Sequence, residues 1–300
     1  MTQPVFFNHK DEMIHVMLAD GQARALLCSA SNLVQEAANI HHSTPVVSVA
    51  LGRMMMGTLM LSSMMKNPTD SVTVNIKGDG PIGTMVAVSS PGKVKAMVSH
   101  PEIHLPPLAG GNLPVGVAVG KNGQMSVIKD LGLKEPYIGQ VNLVSGEIAE
   151  DFTMYFTASE QQPSLLSLGV LTAEESILQA GGLLIQPLPG CSEEVLSQLE
   201  LRSPMFASIS QELSYATVDT LVEDWFRGLT PLIVSREPIK WECDCSRQRM
   251  EKALISLGTV QLQEIIQDDQ GAELVCHFCG EKYQFTTEEL KTLFAQATRE

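Results

Sequence analysis

Three hundred residues, 44% of them hydrophobic and 18% charged, with a mean hydropathy of +0.08, are enough to bury more than one core and predict a globular chain of about two domains. Thirty-four acidic against twenty Lys and Arg residues give a net charge of −14, which repels phosphate backbones and argues against a nucleic-acid partner. No uncharged apolar run reaches the length a membrane span needs and residues 1–10 lack an export pattern, so the expected compartment is the cytoplasm, with no membrane partner.

Residues 5–189 mix short β-rich runs with helical ones. Ser71-Val-Thr-Val-Asn-Ile-Lys77 alternates apolar and polar side chains and predicts a strand ahead of the turn residues Gly78-Asp-Gly80. Further strands are predicted at 24–28, 85–88, 94–99, 124–129, 140–145 and 182–186, and helices at 31–40 and 50–65. Together they make an α+β fold, a mixed α/β N-terminal core domain over residues 1–189. Met54, Met55, Met56, Met60, Met64 and Met65 recur at helical spacing, which favours a buried core helix over a copper site. The softness of Met leaves open a face that meets varied partners. Gly78-Asp-Gly-Pro-Ile-Gly83 lacks the Lys-Ser/Thr ending of a phosphate loop and reads as a hairpin turn.

Between Cys191 and Pro238 eight acids stand against three bases, with no clear strand. Residues 190–238 therefore read as a helical linker, with short helices at 193–201, 204–213 and 218–226. Thr217 caps the third, which carries Val218, Leu221, Val222 and Trp225 on one face. Helices this short are marginal alone, which leaves two readings: an ordinary interdomain connection, or a metastable segment whose folding depends on its neighbours.

Residues 239–300 form a small C-terminal domain, of a size at which a metal commonly supplements the core. Ser246 caps a helix with Met250, Leu254 and Leu257 on one stripe, and residues 260–267 give another helix. Gln270-Gly271 turns into a strand ending at Val275, and a second strand passes through Tyr283 and Phe285. Thr286 with Glu289 forms a capping box before a helix that buries Leu290, Leu293 and Phe294.

Four of the six cysteines fall here, as Cys243-Asp-Cys245 and Cys276-His-Phe-Cys279. Two close pairs supply the four soft ligands of a tetrahedral zinc, and four thiolates leave no position for a catalytic water, so the expected site is structural or redox-sensing and not enzymatic. The single residue inside the first pair departs from the two to four usual in zinc fingers. Both pairs are close enough in sequence for a local disulfide, so oxidation could expel the metal; a zinc staple without redox role stays open on the residues alone. His277 and Asp244 read as solvent-facing spacers, Cys28 as a small core residue and Cys191 as a partly exposed one. A nucleic-acid-binding ribbon would need a basic patch, whereas residues 239–300 hold more acids than bases. A thiol-disulfide oxidoreductase would place Cys276-His-Phe-Cys279 at a helix start, whereas a strand-like run follows it.

With Cys243-Asp-Cys-Ser-Arg247 and Cys276-His-Phe-Cys-Gly280, the chain resembles the 33 kDa chaperonin family of bacterial redox-regulated heat-shock holdases. Lys77-Gly-Asp-Gly-Pro81, Ser145-Gly-Glu-Ile-Ala149, Ser159-Glu-Gln161 and Ala180-Gly-Gly-Leu-Leu-Ile-Gln-Pro-Leu-Pro189 look like family segments in family order. The resemblance covers essentially the whole chain. It implies one zinc on Cys243, Cys245, Cys276 and Cys279 in an inactive reduced form. It also implies disulfides Cys243–Cys245 and Cys276–Cys279 on oxidation, zinc release, unfolding of linker and zinc domain, ATP-independent binding of unfolding client proteins, and a homodimer in the active form.

Overall fold

The computed structural model describes residues 7–267 and 271–297, the last two by backbone alone. Residues 1–6 and Gln270, on which the expectations for the start of the chain and for one turn partly rest, lie outside the described residues. Two compact units are formed, Met1–Glu242 and Cys243–Glu300.

The first unit begins with strands β1 (Glu12–Leu18) and β2 (Ala23–Ser29), helices α1 (Ser31–His41) and α2 (Pro45–Ser63), strands β3 (Ser71–Lys77), β4 (Thr84–Ser90) and β5 (Lys93–Val98), and the short helix α3 (Val115–Val119). It continues with β6 (Gln124–Asp130), β7 (Tyr137–Asn142), α4 (Ala149–Ala158), β8 (Leu165–Ala173) and β9 (Ser176–Pro187). Helices α5 (Glu193–Arg202), α6 (Ile209–Tyr215) and α7 (Val218–Trp225) and strands β10 (Leu232–Pro238) and β11 (Lys240–Trp241) complete it. One sheet, ordered β10-β1-β2-β9-β8, is antiparallel throughout. The other, ordered β11-β5-β4-β3-β6-β7, is antiparallel except for the parallel β11–β5 pair.

Helix α2 runs between the two sheets and touches strands of both. Pro45 opens it at the first helical position, where its missing N–H costs nothing; the helix therefore starts five residues before the expected boundary. Met54, Met55, Met56 and Met60 are fully buried, as expected of a core helix. No uncharged run of membrane length was expected, and α2 carries Arg53, yet by length and mean hydropathy (1.4) it could cross a bilayer; 89% of that window is buried inside the protein. Gly57 lets α4 close in: a Cβ there would sit 2.6 Å from the Phe152 ring. The alternation of β3 holds, with Val72, Val74 and Ile76 buried toward α2. Residues 78–83 form the β3–β4 turn, where Gly78 and Gly80 press on the carbonyls of Val119 and Ala118, so the hairpin reading stands.

Strands β1, β8 and β10 and helix α4 were not expected, and β10 corrects the reading of residues 190–238 as strand-free. Its sequence, Leu-Ile-Val-Ser-Arg-Glu-Pro, is half exposed and becomes a strand through antiparallel pairing with β1. The expected helix at 204–213 divides into a 3-10 turn, Ser203–Phe206, and α6. The third helix is as expected: Thr217 accepts a hydrogen bond from the Thr220 N–H, and Val218, Leu221, Val222 and Trp225 are buried. Helices α5 to α7 cover the face of the first sheet opposite α2, packing on Ile14, Val16, Leu18, Ala25, Leu27, Leu183 and Ile185. Trp225 meets Phe206 edge to face at 5.5 Å, and Phe206 meets Phe226 at 5.9 Å.

The second unit contains α8 (Arg247–Ser256), α9 (Thr259–Gln267), the hairpin β12 (Ala272–Val275) and β13 (Lys282–Phe285), and α10 (Thr287–Ala297). Its core is small: Leu254, Leu262, Phe285, Leu290 and Leu293, with Phe294 partly buried, while Leu257 is exposed and leaves the expected stripe. Replacing Trp225 with Ala opens a cavity under α7 and should cost the first unit about 3–5 kcal/mol, read as a lowered urea midpoint by far-UV circular dichroism.

Candidate metal centre

The second cysteine pair occupies the β12–β13 turn. Cys276 N–H donates to the Glu281 carbonyl at 2.9 Å and Gly280 N–H to the Cys276 carbonyl at 2.8 Å, closing a knuckle whose last residue, Gly280, has a φ of +74° that other residues resist. The first pair lies in the extended stretch just before α8, which starts where Ser246 accepts a hydrogen bond from the Arg249 N–H. Arg247 ties the two segments together: its guanidinium lies 4.3 Å over the Phe285 ring, donates to the Gln284 carbonyl at 2.9 Å and pairs with Glu289 at 2.6 Å. Glu289 in turn accepts from the Thr286 N–H at 2.8 Å while Thr286 Oγ1 accepts from the Glu289 N–H, the expected capping box.

This scaffold brings the four sulfurs of Cys243, Cys245, Cys276 and Cys279 within 4.8 Å of one another. Cys243 Sγ is 3.7 Å from Cys276 Sγ, and Cys245 Sγ is 3.4 Å from Cys279 Sγ. A tetrahedron with metal–sulfur bonds of about 2.3 Å has edges of about 3.8 Å, so the donor set and its size both fit a zinc ion. Both of these separations run across the sequence pairs, as edges of one cluster. Burial raises the Cys243 and Cys279 thiols above their ordinary range. Burial also acts to raise Cys276, but the N–H groups of Cys279 and Phe278 and the neighbouring thiols outweigh it and hold that thiol below its ordinary value. The cluster thus favours a thiolate at Cys276 over one at Cys243 or Cys279, and a dication among the four sulfurs would offset half the charge of four thiolates.

Tyr283, on β13, donates its hydroxyl to Cys245 Sγ at 3.2 Å. Neither this contact nor the Arg247 clasp was legible beforehand; the nearest signal was their position beside the two pairs. His277 is exposed, as expected, and Asp244 is exposed but paired with Arg249 at 2.6 Å. Cys28 is fully buried in the core of the first unit, its thiol raised by burial, and Cys191 is partly buried beside α5. Strand β13, not a helix, follows the second pair, which removes the helix N-terminus that activates an oxidoreductase thiol.

The family described as Hsp33 protein matches residues 11–286. The chain is 42% identical over 285 residues to the 33 kDa chaperonin of Ruminiclostridium cellulolyticum, an overlap covering 94% of this chain and 97% of that protein. It is 42% identical over 291 residues to the 33 kDa chaperonin of Bacillus subtilis, covering 96% and 100%. The crystal structure of the 33 kDa chaperonin (heat shock protein 33 homolog) from Thermotoga maritima matches with a TM-score of 0.88 at 32% identity, over 97% of this chain and all of that one.

Tyr283→Phe removes one hydrogen bond to a sulfur without disturbing the ring. Zinc affinity should fall about tenfold, the lower end for outer partners of metal ligands, as measured by competition with a chromophoric chelator.

Proposed function

The chain belongs to the Hsp33 protein family, a family of chaperones, and from that premise we propose that it is a redox-regulated, ATP-independent holdase, inactive when reduced and zinc-bound and activated by oxidation. The observation that carries the proposal is the cluster of four sulfurs within 4.8 Å, drawn from two sequence-local pairs. In this reading Cys243, Cys245, Cys276 and Cys279 hold one Zn2+ per chain, and the ion supplies the positive charge that keeps four thiolates together. The working division is a core domain of residues 1–189, a metastable linker of 190–238 and a zinc domain of 239–300.

Oxidation acts on the thiolates. One sulfur of a pair attacks peroxide, breaking the O–O bond to give a sulfenic acid and, with a solvent proton, water. Its partner displaces the hydroxyl, which leaves as a second water after taking another proton. Each disulfide thus accounts for two electrons and one peroxide, and two of them remove all four donors. In this reading the disulfides are Cys243–Cys245 and Cys276–Cys279, and loop entropy supports that pairing, since each pair stays close when the unit opens whereas the cross-pair contacts do not. Structural zinc contributes about 10–16 kcal/mol of apparent folding energy in small domains, more than a core of five buried side chains retains without it.

Client binding draws support from the linker helices. Each is short, and together they cover an apolar sheet face of Ile14, Val16, Leu18, Ala25, Leu27, Leu183 and Ile185. If they lift with the zinc domain, that face and their own apolar sides meet unfolding proteins. The active oxidised form is read as a homodimer, the compartment as the cytoplasm, and the protein as a binding partner of unfolded clients and not an enzyme.

Peroxide with mild heating should release one zinc per chain while helical signal falls and protection of a heat-unfolded client rises, without nucleotide. Zinc release followed by chelator absorbance, with light scattering in the same cuvette, checks this; aggregation as in buffer after full release would leave only a zinc domain. Cys28→Ser and Cys191→Ser should each keep zinc stoichiometry and activation, and failure of either variant to activate would add that cysteine to the switch. Leu221→Glu inserts a charge under α7 and removes roughly 1.5–3 kcal/mol of burial, so it should raise client protection without oxidant and lower hydrogen-exchange protection across residues 193–226.

A further inference from the structure

Arg53 is the only charged residue of the core helix α2. Its Nη1 donates to Glu147 Oε2 at 2.6 Å and to the Glu147 carbonyl at 3.2 Å, and Glu147 Oε1 accepts the Gly116 N–H at 2.8 Å. The carboxylate is thereby used up on one edge of the guanidinium. On the other edge Nε is buried and has no hydrogen-bond partner among the described residues, and no partner of Nη2 is found there either. Arg53 also lines a cavity of about 460 Å3, together with residues 168–172 of β8, Ser208, Ser210 and Gln211, and Asn112 of an exposed loop. These four polar side chains make no hydrogen bond of their own among the described residues, and β8 is the outer strand of its sheet.

An unpaired guanidinium N–H carries the full cost of lost hydration, and a site that keeps one beside a cavity of ligand size is built to receive an acceptor. The Nε and Nη2 donors form the planar fork that matches a carboxylate, two parallel N–H···O bonds to its two oxygens. We propose that this cavity binds a small carboxylate ligand, its carboxylate on the Nε–Nη2 edge of Arg53 and its polar remainder among Asn112, Ser208, Ser210 and Gln211. Nε is closed to water as the cavity stands, so the ligand meets the Nη2 corner and the side chain pivots to bring Nε onto the second oxygen. With Glu147 already balancing one positive charge, affinity comes from the fork's geometry more than from net charge. The site shares no residue with the cysteine cluster, and because α6 supplies Ser210 and Gln211 it belongs to the form in which the linker helices cover the sheet.

The test is isothermal titration of the zinc-loaded full chain with succinate, with neutral succinamide of similar shape as the control. Saturable binding of succinate and none of succinamide is expected. Arg53→Lys keeps a charge for Glu147 but lacks the fork, and should weaken binding about ten- to a hundredfold; with its cysteines intact it also controls for any pull of the dicarboxylate on zinc. Should that variant fail to fold, Asn112→Trp, an exposed loop substitution that fills the mouth of the cavity, should abolish binding while leaving the melting temperature unchanged. No saturable heat with succinate, equal binding of succinamide, or undiminished binding in the folded variants would each overturn the proposal.

Discussion

Four sulfurs packed within 4.8 Å cannot all carry charge in a half-buried site unless a cation lies among them, and the rest of the second unit depends on how that conflict is resolved. Protons resolve it unevenly: burial disfavours the thiolate at Cys243 and Cys279, while the backbone donors of the knuckle favour it at Cys276. A dication resolves it for all four at once. The same residues that bring the sulfurs together also organise the little hydrophobic core there is. Arg247 lies over Phe285, Tyr283 holds the Cys245 sulfur from the neighbouring strand, and Glu289 links Arg247 to the start of α10. A metal held on these sulfurs would therefore have its affinity coupled to the folding of this unit, because the same residues serve both.

The first unit solves a different problem. Its five-stranded sheet is apolar on both faces, and an antiparallel sheet with two apolar faces needs two covers. One is α2, a helix apolar all round because it is enclosed by both sheets; this is why it passes a membrane test on composition while being buried in the protein. The other is the set α5 to α7, amphipathic and short, each held by the face it covers more than by its own hydrogen bonds. The two covers thus differ in permanence. Displacing α2 would dismantle the core, whereas lifting α5 to α7 exposes a ready-made apolar surface and leaves the sheet's other face packed.

Long-range polar contacts fix several element ends that local sequence does not. Helix α1 has Ala30 at its N-cap, and the N–H groups of Asn32 and Leu33 are taken by the carboxylate of Asp11, 21 and 22 residues upstream. Asp151 does the same within the loop before α4, accepting from Val144 and Ile148 and so holding Ile148 at a positive φ. Asp11 is partly buried and reaches α1 from outside the helix, whereas Asp151 is fully buried and stands in the first turn of α4 itself.

What the sequence by itself determined is whatever depends on near neighbours in the chain. The alternation of β3, the Met-rich core helix, the Thr217 and Ser246 caps, the Thr286–Glu289 box and the two cysteine pairs with their tetrahedral chemistry are all encoded within a few residues. The tertiary structure decided what depends on a partner far along the chain. Strand β10 exists because β1, far earlier in the chain, offers it an edge, and α1 is capped by Asp11 from ahead of β1, whereas α4 and β8 went unread although their partners, Asp151 and β9, are close in sequence. The same division runs through the site. The four sulfurs were legible because ligand type and spacing are local properties, but the Tyr283 hydrogen bond and the Arg247 clasp needed the hairpin and α8 to be brought side by side, and no local pattern carries that juxtaposition.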